Sequence, residues 1–229
     1  MREQGRRTLQ EALQAYSEVA SRAHGGYVQD HIAGVHIQIS GILEAEGKLD
    51  EALREREQAL EVLEKEFSQD PRSIYLKERL GASRIASARL LARLGRQAEA
   101  LRDGRLGLGY LADNAGRPRA AALTLDSTAQ RLLTVEPAEL RDPAGAREYA
   151  RRAVAQTASQ MPPYLVTLAF AELESGHEEE GRHAAARAVE GYRKVTEILA
   201  PLFASAKYAE ASRLYSEWRG QLAKLSNLR

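Results

Sequence analysis

Gly47-Lys48-Leu49-Asp50-Glu51-Ala52, with Ala59 seven residues further on, is the stretch whose reading decides the fold. Upstream of it Ile39 and Leu43 are spaced for one face of a helix, and Asp50 and Glu51 suit the N-terminus of a new one. Glycine supplies the left-handed backbone that closes a helix, and two small residues one heptad apart let a second helix lie close on the first. The stretch therefore reads as the turn of an α-hairpin. It recurs as Gly95-Arg96-Gln97-Ala98-Glu99-Ala100, and as Gly176-His177-Glu178-Glu179-Glu180-Gly181 with Ala188 seven residues on. A fourth, altered copy is Asp142-Pro143-Ala144-Gly145-Ala146, with Ala153 in the place of Ala59.

Outward from these turns, apolar spacing predicts helices over residues 8–24, 28–46, 50–68, 72–94, 97–114, 117–134, 143–159, from Leu165 to Gly176, 178–199 and 207–226. Ala12 and Val19 mimic Ala52 and Ala59, so the first of these is expected to be the second half of a hairpin. Pro71 is expected in the first turn of the fourth helix, and Pro201 is expected to kink or interrupt the ninth. Gly104, Gly107 and Gly109 would each cost about 1 kcal/mol relative to Ala in a helix, and would either permit close helix approach or fray it. No run alternates β-branched with polar residues, so no strand is expected. Equivalent small residues recur at 40 (Ala12 to Ala52), 48 (to Ala100), 46 (to Ala146) and 35 (to Gly181) residues. The expected fold is an all-α, right-handed α-solenoid of helical hairpins, about ten helices in one domain over 1–229. Within it, 8–26 would be the half-repeat, 28–195 the array and 196–229 a C-terminal cap carrying Tyr208, Tyr215 and Trp218.

Composition narrows the function classes. With 44% apolar residues among 229 the chain can bury a real core. Its 33 basic and 32 acidic side chains are interspersed, and a net charge of +1 gives no basic surplus for nucleic acid. The absence of cysteine removes disulfides, thiolate metal sites and a Cys nucleophile, and suits a reducing cytoplasm. Residues 1–7 lead into an amphipathic run, unlike a signal peptide, and no window is apolar enough to span a membrane. A cytoplasmic protein is expected.

The three turn copies resemble tetratricopeptide repeats in the glycine, in the small residue five positions later and, in two of them, in the alanine seven beyond. Ser40, Ala88 and Ala169, seven residues before each turn glycine, match the small residue the family keeps inside its first helix. The resemblance covers about residues 8–195. It departs from the family where a large aromatic is common, since His36, Arg84 and Leu165 stand there. Two segments, Asp70 to Leu80 and Leu140 to Ala146, also resemble the long-period repeats found behind bacterial serine/threonine kinase domains.

The resemblance implies a non-enzymatic scaffold that binds a protein or peptide along the face lined by first helices. By position that face includes Ile37, Gly41 and Glu44; Ile85, Arg89 and Arg93; Asp126 and Gln130; and Val166, Phe170 and Glu174. The Lys/Asn set with which some such repeats clamp a peptide C-terminus is absent, because Ile37, Gly41, Ile85 and Arg89 occupy its places. The narrower expectation is the regulatory tail of a bacterial kinase. The alternative is a module that senses a small ligand or peptide near Arg89, Arg93 and Phe170. No cofactor, metal, nucleic acid or membrane partner is expected, while an open apolar face on residues 8–24 would allow a homodimer through a terminal helix.

Weighed one by one, the chemical candidates favour plainer explanations. His177 and His183 are six residues apart, about 600° of helix, and cannot share an ion; His31 and His36, five apart, fail likewise. Gly104-Arg105-Leu106-Gly107-Leu108-Gly109 follows no strand and lacks the Lys-Ser/Thr of a phosphate loop. There is no kinase His-Arg-Asp or Asp-Phe-Gly, and no Gly-x-Ser-x-Gly elbow. Arg89, Arg93 and Arg96 form a short basic strip that could hold an acidic peptide or phosphate groups, with Glu99 close enough to neutralise part of it.

Overall fold

A computed structural model of the chain describes residues 2–22, 26–158 and 161–203. Among these residues there is helix and no strand: α1 (Arg2–Arg22), α2 (Gly26–Ala45), α3 (Leu49–Gln69), α4 (Ile74–Arg93), α5 (Gln97–Ala115), α6 (Ala122–Thr134), α7 (Pro143–Gln156), α8 (Pro162–Glu174) and α9 (Glu178–Phe203), with a short 3-10 turn at Ala138–Leu140. The expected helix 207–226, with Tyr208, Tyr215 and Trp218, lies outside the described residues. Pro201 falls inside α9, which continues to Phe203.

The three glycine turns are built alike. Gly47, Gly95 and Gly176 take φ of +78°, +77° and +83°, the left-handed region in which a Cβ is strained. In each, the glycine N–H donates to the carbonyl three residues back and the next N–H to the carbonyl five back: Lys48 to Leu43 at 2.9 Å, Arg96 to Leu91 at 2.9 Å and His177 to Glu172 at 2.8 Å. These paired bonds satisfy carbonyls that a helix end leaves without partners. The following helix then starts on the same register, with Ala52, Ala100 and Gly181 donating to Lys48, Arg96 and His177. Ala52, Ala59, Ala100 and Ala188 are fully buried, as are Ser40, Ala88 and Ala169 on the facing helices. Ser40 also donates its hydroxyl to the Ala52 carbonyl at 2.7 Å, pinning α2 to α3.

The chain divides into two compact units. The first takes Met1–Arg117 with Thr134–Arg141, and in it α1 packs on α2, α2 on α3, α3 on α4 and α4 on α5. Val35, Ile39 and Leu43 of α2 meet Leu53 of α3 and Leu90 and Leu91 of α4 in one core, and each such buried side chain is worth about 1.5–3 kcal/mol. Leu9, Ala12, Leu13 and Tyr16 of α1 pack against this core, so the apolar face predicted over residues 8–24 is turned inward. The α4–α5 contact is backbone to backbone: a Cβ on Gly81 would stand 2.9 Å from the Gly107 carbonyl oxygen, and one on Gly107 2.8 Å from that of Gly81. Gly104 is packed against Ala88 and Leu140, while Gly109 faces open space. Gly107 and Gly104 thus permit close approach, whereas Gly109 makes none and still lies within the continuous helix α5. Arg84 stands where an aromatic was the family's habit and instead joins three helices, pairing with Glu64 of α3 and, at 3.1 Å, with Asp103 of α5.

The second unit takes Pro118–Leu133 with Asp142–Arg229; α7 packs on α8 and α8 on α9. Gly181 replaces the usual alanine because a Cβ there would meet Leu173 at 2.6 Å and the Ala169 carbonyl at 3.2 Å. In the altered copy Asp142 takes over from the glycine, its Oδ1 accepting from the Gly145 N–H at 2.9 Å and capping α7. Two helix starts fall later than the spacing predicts. The fourth begins at Ile74, because Ser73 caps it by accepting from the Leu76 N–H, which leaves Pro71 in the turn before it. The sixth begins at Ala122 and not 117: Arg117, which precedes Pro118, is disfavoured in the α region, and the chain runs through a turn before the helix starts.

Candidate functional site

In the first unit, Glu44, Arg89 and Arg93 come together. They stand in the last turns of their helices: Glu44 is one residue before the end of α2, Arg93 ends α4 and Arg89 lies about one turn before it. Arg89 Nη2 lies 2.7 Å from Glu44 Oε2, and Arg93 Nη1 lies 2.8 Å from Glu44 Oε1. Each carboxylate oxygen thus takes one arginine, and the arginines remain nearly half-exposed. Arg96 takes no part: Glu99 holds it in a two-pronged pair with both contacts at 2.7 Å, and that hydrogen bond keeps the Glu99 carboxyl below its usual range. The acid that neutralises the Arg89/Arg93 strip is Glu44, 45 and 49 residues away in sequence.

Arg56 of α3 is the residue that spacing alone passed over. It stands four residues after Ala52 and three before Ala59, in the buried stripe of its helix. Only 7% of it is exposed, and its Nε has no hydrogen-bond partner. Burial pulls its pKa down to about 10, against the attraction of Glu44 and with the repulsion of Arg89. It therefore stays charged at neutral pH. Two of the remaining first-unit candidates pack inward, Ile37 partly buried against the cluster of Ala33, Ala59 and Leu63 and Ile85 buried beside Leu111 and Val135, while Gly41 is exposed.

In the second unit, Gln130 donates to Asp126 Oδ2 at 2.8 Å and to Thr167 Oγ1 at 3.3 Å, joining α6 to α8. Asp126 is 4% exposed, and its Oδ1 has no hydrogen-bond partner. Burial raises its pKa, while hydrogen bonds from Thr167 and Gln130 work in the opposite direction. Tyr192 of α9 is buried nearby, its phenol raised first by burial and then by the Asp126 charge. Phe170 is 40% exposed and Glu174 is exposed, so both present side chains to solvent. Glu172, a residue of no sequence motif, is 2% exposed and bound to Arg151 at 2.7 Å.

Three of the histidines have ordinary partners. Arg147 donates to the His177 ring, His36 Nδ1 lies 2.7 Å from Glu55, and His31 stacks on Tyr16 with centroids 5.0 Å apart. Among the described residues no group of three or more acids and histidines is placed to hold a metal ion, and no helix is long and apolar enough to cross a membrane.

No protein-family model matches the chain, and no curated protein matches it. Among solved structures it is similar to BtubC (BKLC) from P. vanneervenii, at 16% identity over 82% of this chain and 75% of that one, with a TM-score of 0.49. It is also similar to the C-terminal part of a TPR repeat-containing protein from Cytophaga hutchinsonii, at 12% identity over 95% of this chain and 74% of that one, with a TM-score of 0.45. Likeness of this degree assigns no role to any residue.

Proposed function

We propose that the chain is a non-enzymatic interaction module that holds a segment of another protein against the first-helix face of its hairpins. The observation that carries this reading is the convergence of Glu44 of α2 with Arg89 and Arg93 of α4, three residues from successive hairpins on one accessible face. Arginine with half its side chain free is a suitable anchor, because its planar fork binds carboxylate or phosphate with two hydrogen bonds and loses little freedom in doing so. Phe170, Glu174 and Gln130 are the corresponding candidates on the second unit. A reducing compartment such as the cytoplasm suits a chain without cysteine. Attachment to a bacterial kinase is a narrower reading supported by the segments at 70–80 and 140–146 alone; co-purification with a kinase domain is its test.

The module reading is tested by affinity capture with the wild type and with R89E/R93E, whose helicity is checked by circular dichroism. A specific protein partner retained by the wild type and lost by the variant is expected. Turnover of a small molecule, or stabilisation by a metabolite with no protein ligand found, would overturn it.

A further inference from the structure

Two guanidiniums of the first unit grip one carboxylate, and the charge of a third, buried one interacts with it. Glu44 takes Arg89 at 2.7 Å on one oxygen and Arg93 at 2.8 Å on the other, and no hydrogen bond joins it to Arg56. Arg56 is 93% buried and its Nε has no hydrogen-bond partner, yet its charge interacts with both Glu44 and Arg89. A buried cation without a hydrogen-bonded counter-ion costs stability, and a well-packed apolar residue of similar size would serve a purely structural role better. Three positive charges against one negative leave a surplus of two. Arg96 adds nothing to it, being paired to Glu99 and within the field of Glu57 and Asp50.

We propose that Arg56, Arg89 and Arg93 form an oxyanion site for a phosphate monoester carried by a bound polypeptide, with Glu44 as the resident carboxylate that the phosphate displaces. The charge arithmetic selects the ligand class. A phosphomonoester carries about −1.5 to −2 charge and three acceptor oxygens, which matches the surplus and the number of guanidiniums. A ligand carboxylate would only replace Glu44 in kind. Arg89 and Arg93 make the direct contacts, since they are accessible, and Arg56 supplies positive potential from the buried stripe of α3, where low dielectric strengthens it. Glu44 holds the two outer arginines in place until the ligand arrives. The inference rests on the interaction-module reading and specifies what its ligand must present.

The test uses the whole chain, an oriented library of phosphoserine-centred peptides with matching serine and glutamate libraries, and inorganic phosphate at constant ionic strength. Phosphoserine peptides are expected to bind about tenfold or more tightly than either counterpart, equivalent to about 1.4 kcal/mol. R56M is expected to keep or raise the melting temperature while weakening phosphopeptide binding about tenfold, a combination a merely structural arginine would not give. E44Q is expected to tighten binding. Should R56M fail to fold, R89A/R93A, altered only at accessible positions, carries the same expectation of lost binding. Equal binding of serine and phosphoserine peptides, or binding indifferent to the arginines, overturns this inference and leaves the module reading standing. Arginine-dependent binding of inorganic phosphate with no peptide bound better overturns both.

Discussion

A carboxyl group as buried as Asp126 is a liability when charged, and the sign of its effect on stability follows from its surroundings. Burial raises its pKa in the folded chain above the ordinary carboxylate value, and the Gln130 and Thr167 hydrogen bonds recover only part of that cost. The unfolded chain therefore loses this proton first as pH rises. Its contribution to stability is full below the ordinary value of about 4 and is lost progressively as pH climbs to the raised folded value. D126N, which stays neutral at every pH and keeps an acceptor for Gln130, is expected to be more stable than the wild type at pH 7. The advantage should vanish on acidification toward about pH 4, as read from urea denaturation at several pH values; a variant weaker than the wild type at pH 7 would refute the argument. Glu172 is a second buried acid, and it is paired with Arg151 at 2.7 Å. R151A should cost about 1–3 kcal/mol in chemical denaturation, because it leaves a buried carboxylate short of a partner. R193A, which removes an exposed pair with Glu190, should leave stability unchanged.

At the scale of the helix and its turn, what was legible in the sequence is what is local. The three glycine turns are decided by six consecutive residues, because a positive φ and the bonds that close the helix involve only near neighbours. G95A is accordingly expected to cost about 1–2 kcal/mol, the strain of a Cβ in left-handed backbone, although nothing lies within reach of that Cβ. G107A tests the opposite cause, since its backbone is ordinary helix but its Cβ would press on the Gly81 carbonyl. Better helix propensity would return about 1 kcal/mol and overpacking take about 1–3, so a net loss of stability in thermal or urea unfolding is expected, and a gain would show that α4 and α5 can part without cost. The partnership of Gly107 with Gly81 was not legible, because the two stand 26 residues apart and either could have been a frayed turn. The Glu44 pairing was hidden for the same reason. Arg56 could be placed on the buried stripe from Ala52 and Ala59 alone, but that it lacked a hydrogen-bonded counter-ion depended on where α2 and α4 send their own charges.

At the scale of the whole molecule, the consequence of hairpin stacking is that stability is passed from neighbour to neighbour and is not held in common. Each helix of the first unit leans chiefly on the helices next to it in sequence, and the Glu44 bridge links α2 to α4 across one hairpin. In such an array the loss of an interface is felt most by the helices that share it, whereas a single closed core would lose protection everywhere together. Leu111 of α5 is 5% exposed and packs with Ile85 and Val135 at one end of the unit, so L111A should cost about 2–5 kcal/mol there. Native-state hydrogen exchange is expected to show the greatest loss of protection in α5 and α4, a smaller one in α3, and the least in α2 and α1. That order matters for binding, since a face built from α2 and α4 would then be loosened at its arginine side while Glu44 stayed in place. An equal loss in all five helices would mean that the repeated turns set the path of the chain without dividing its stability, and the nearest-neighbour account would have to be abandoned.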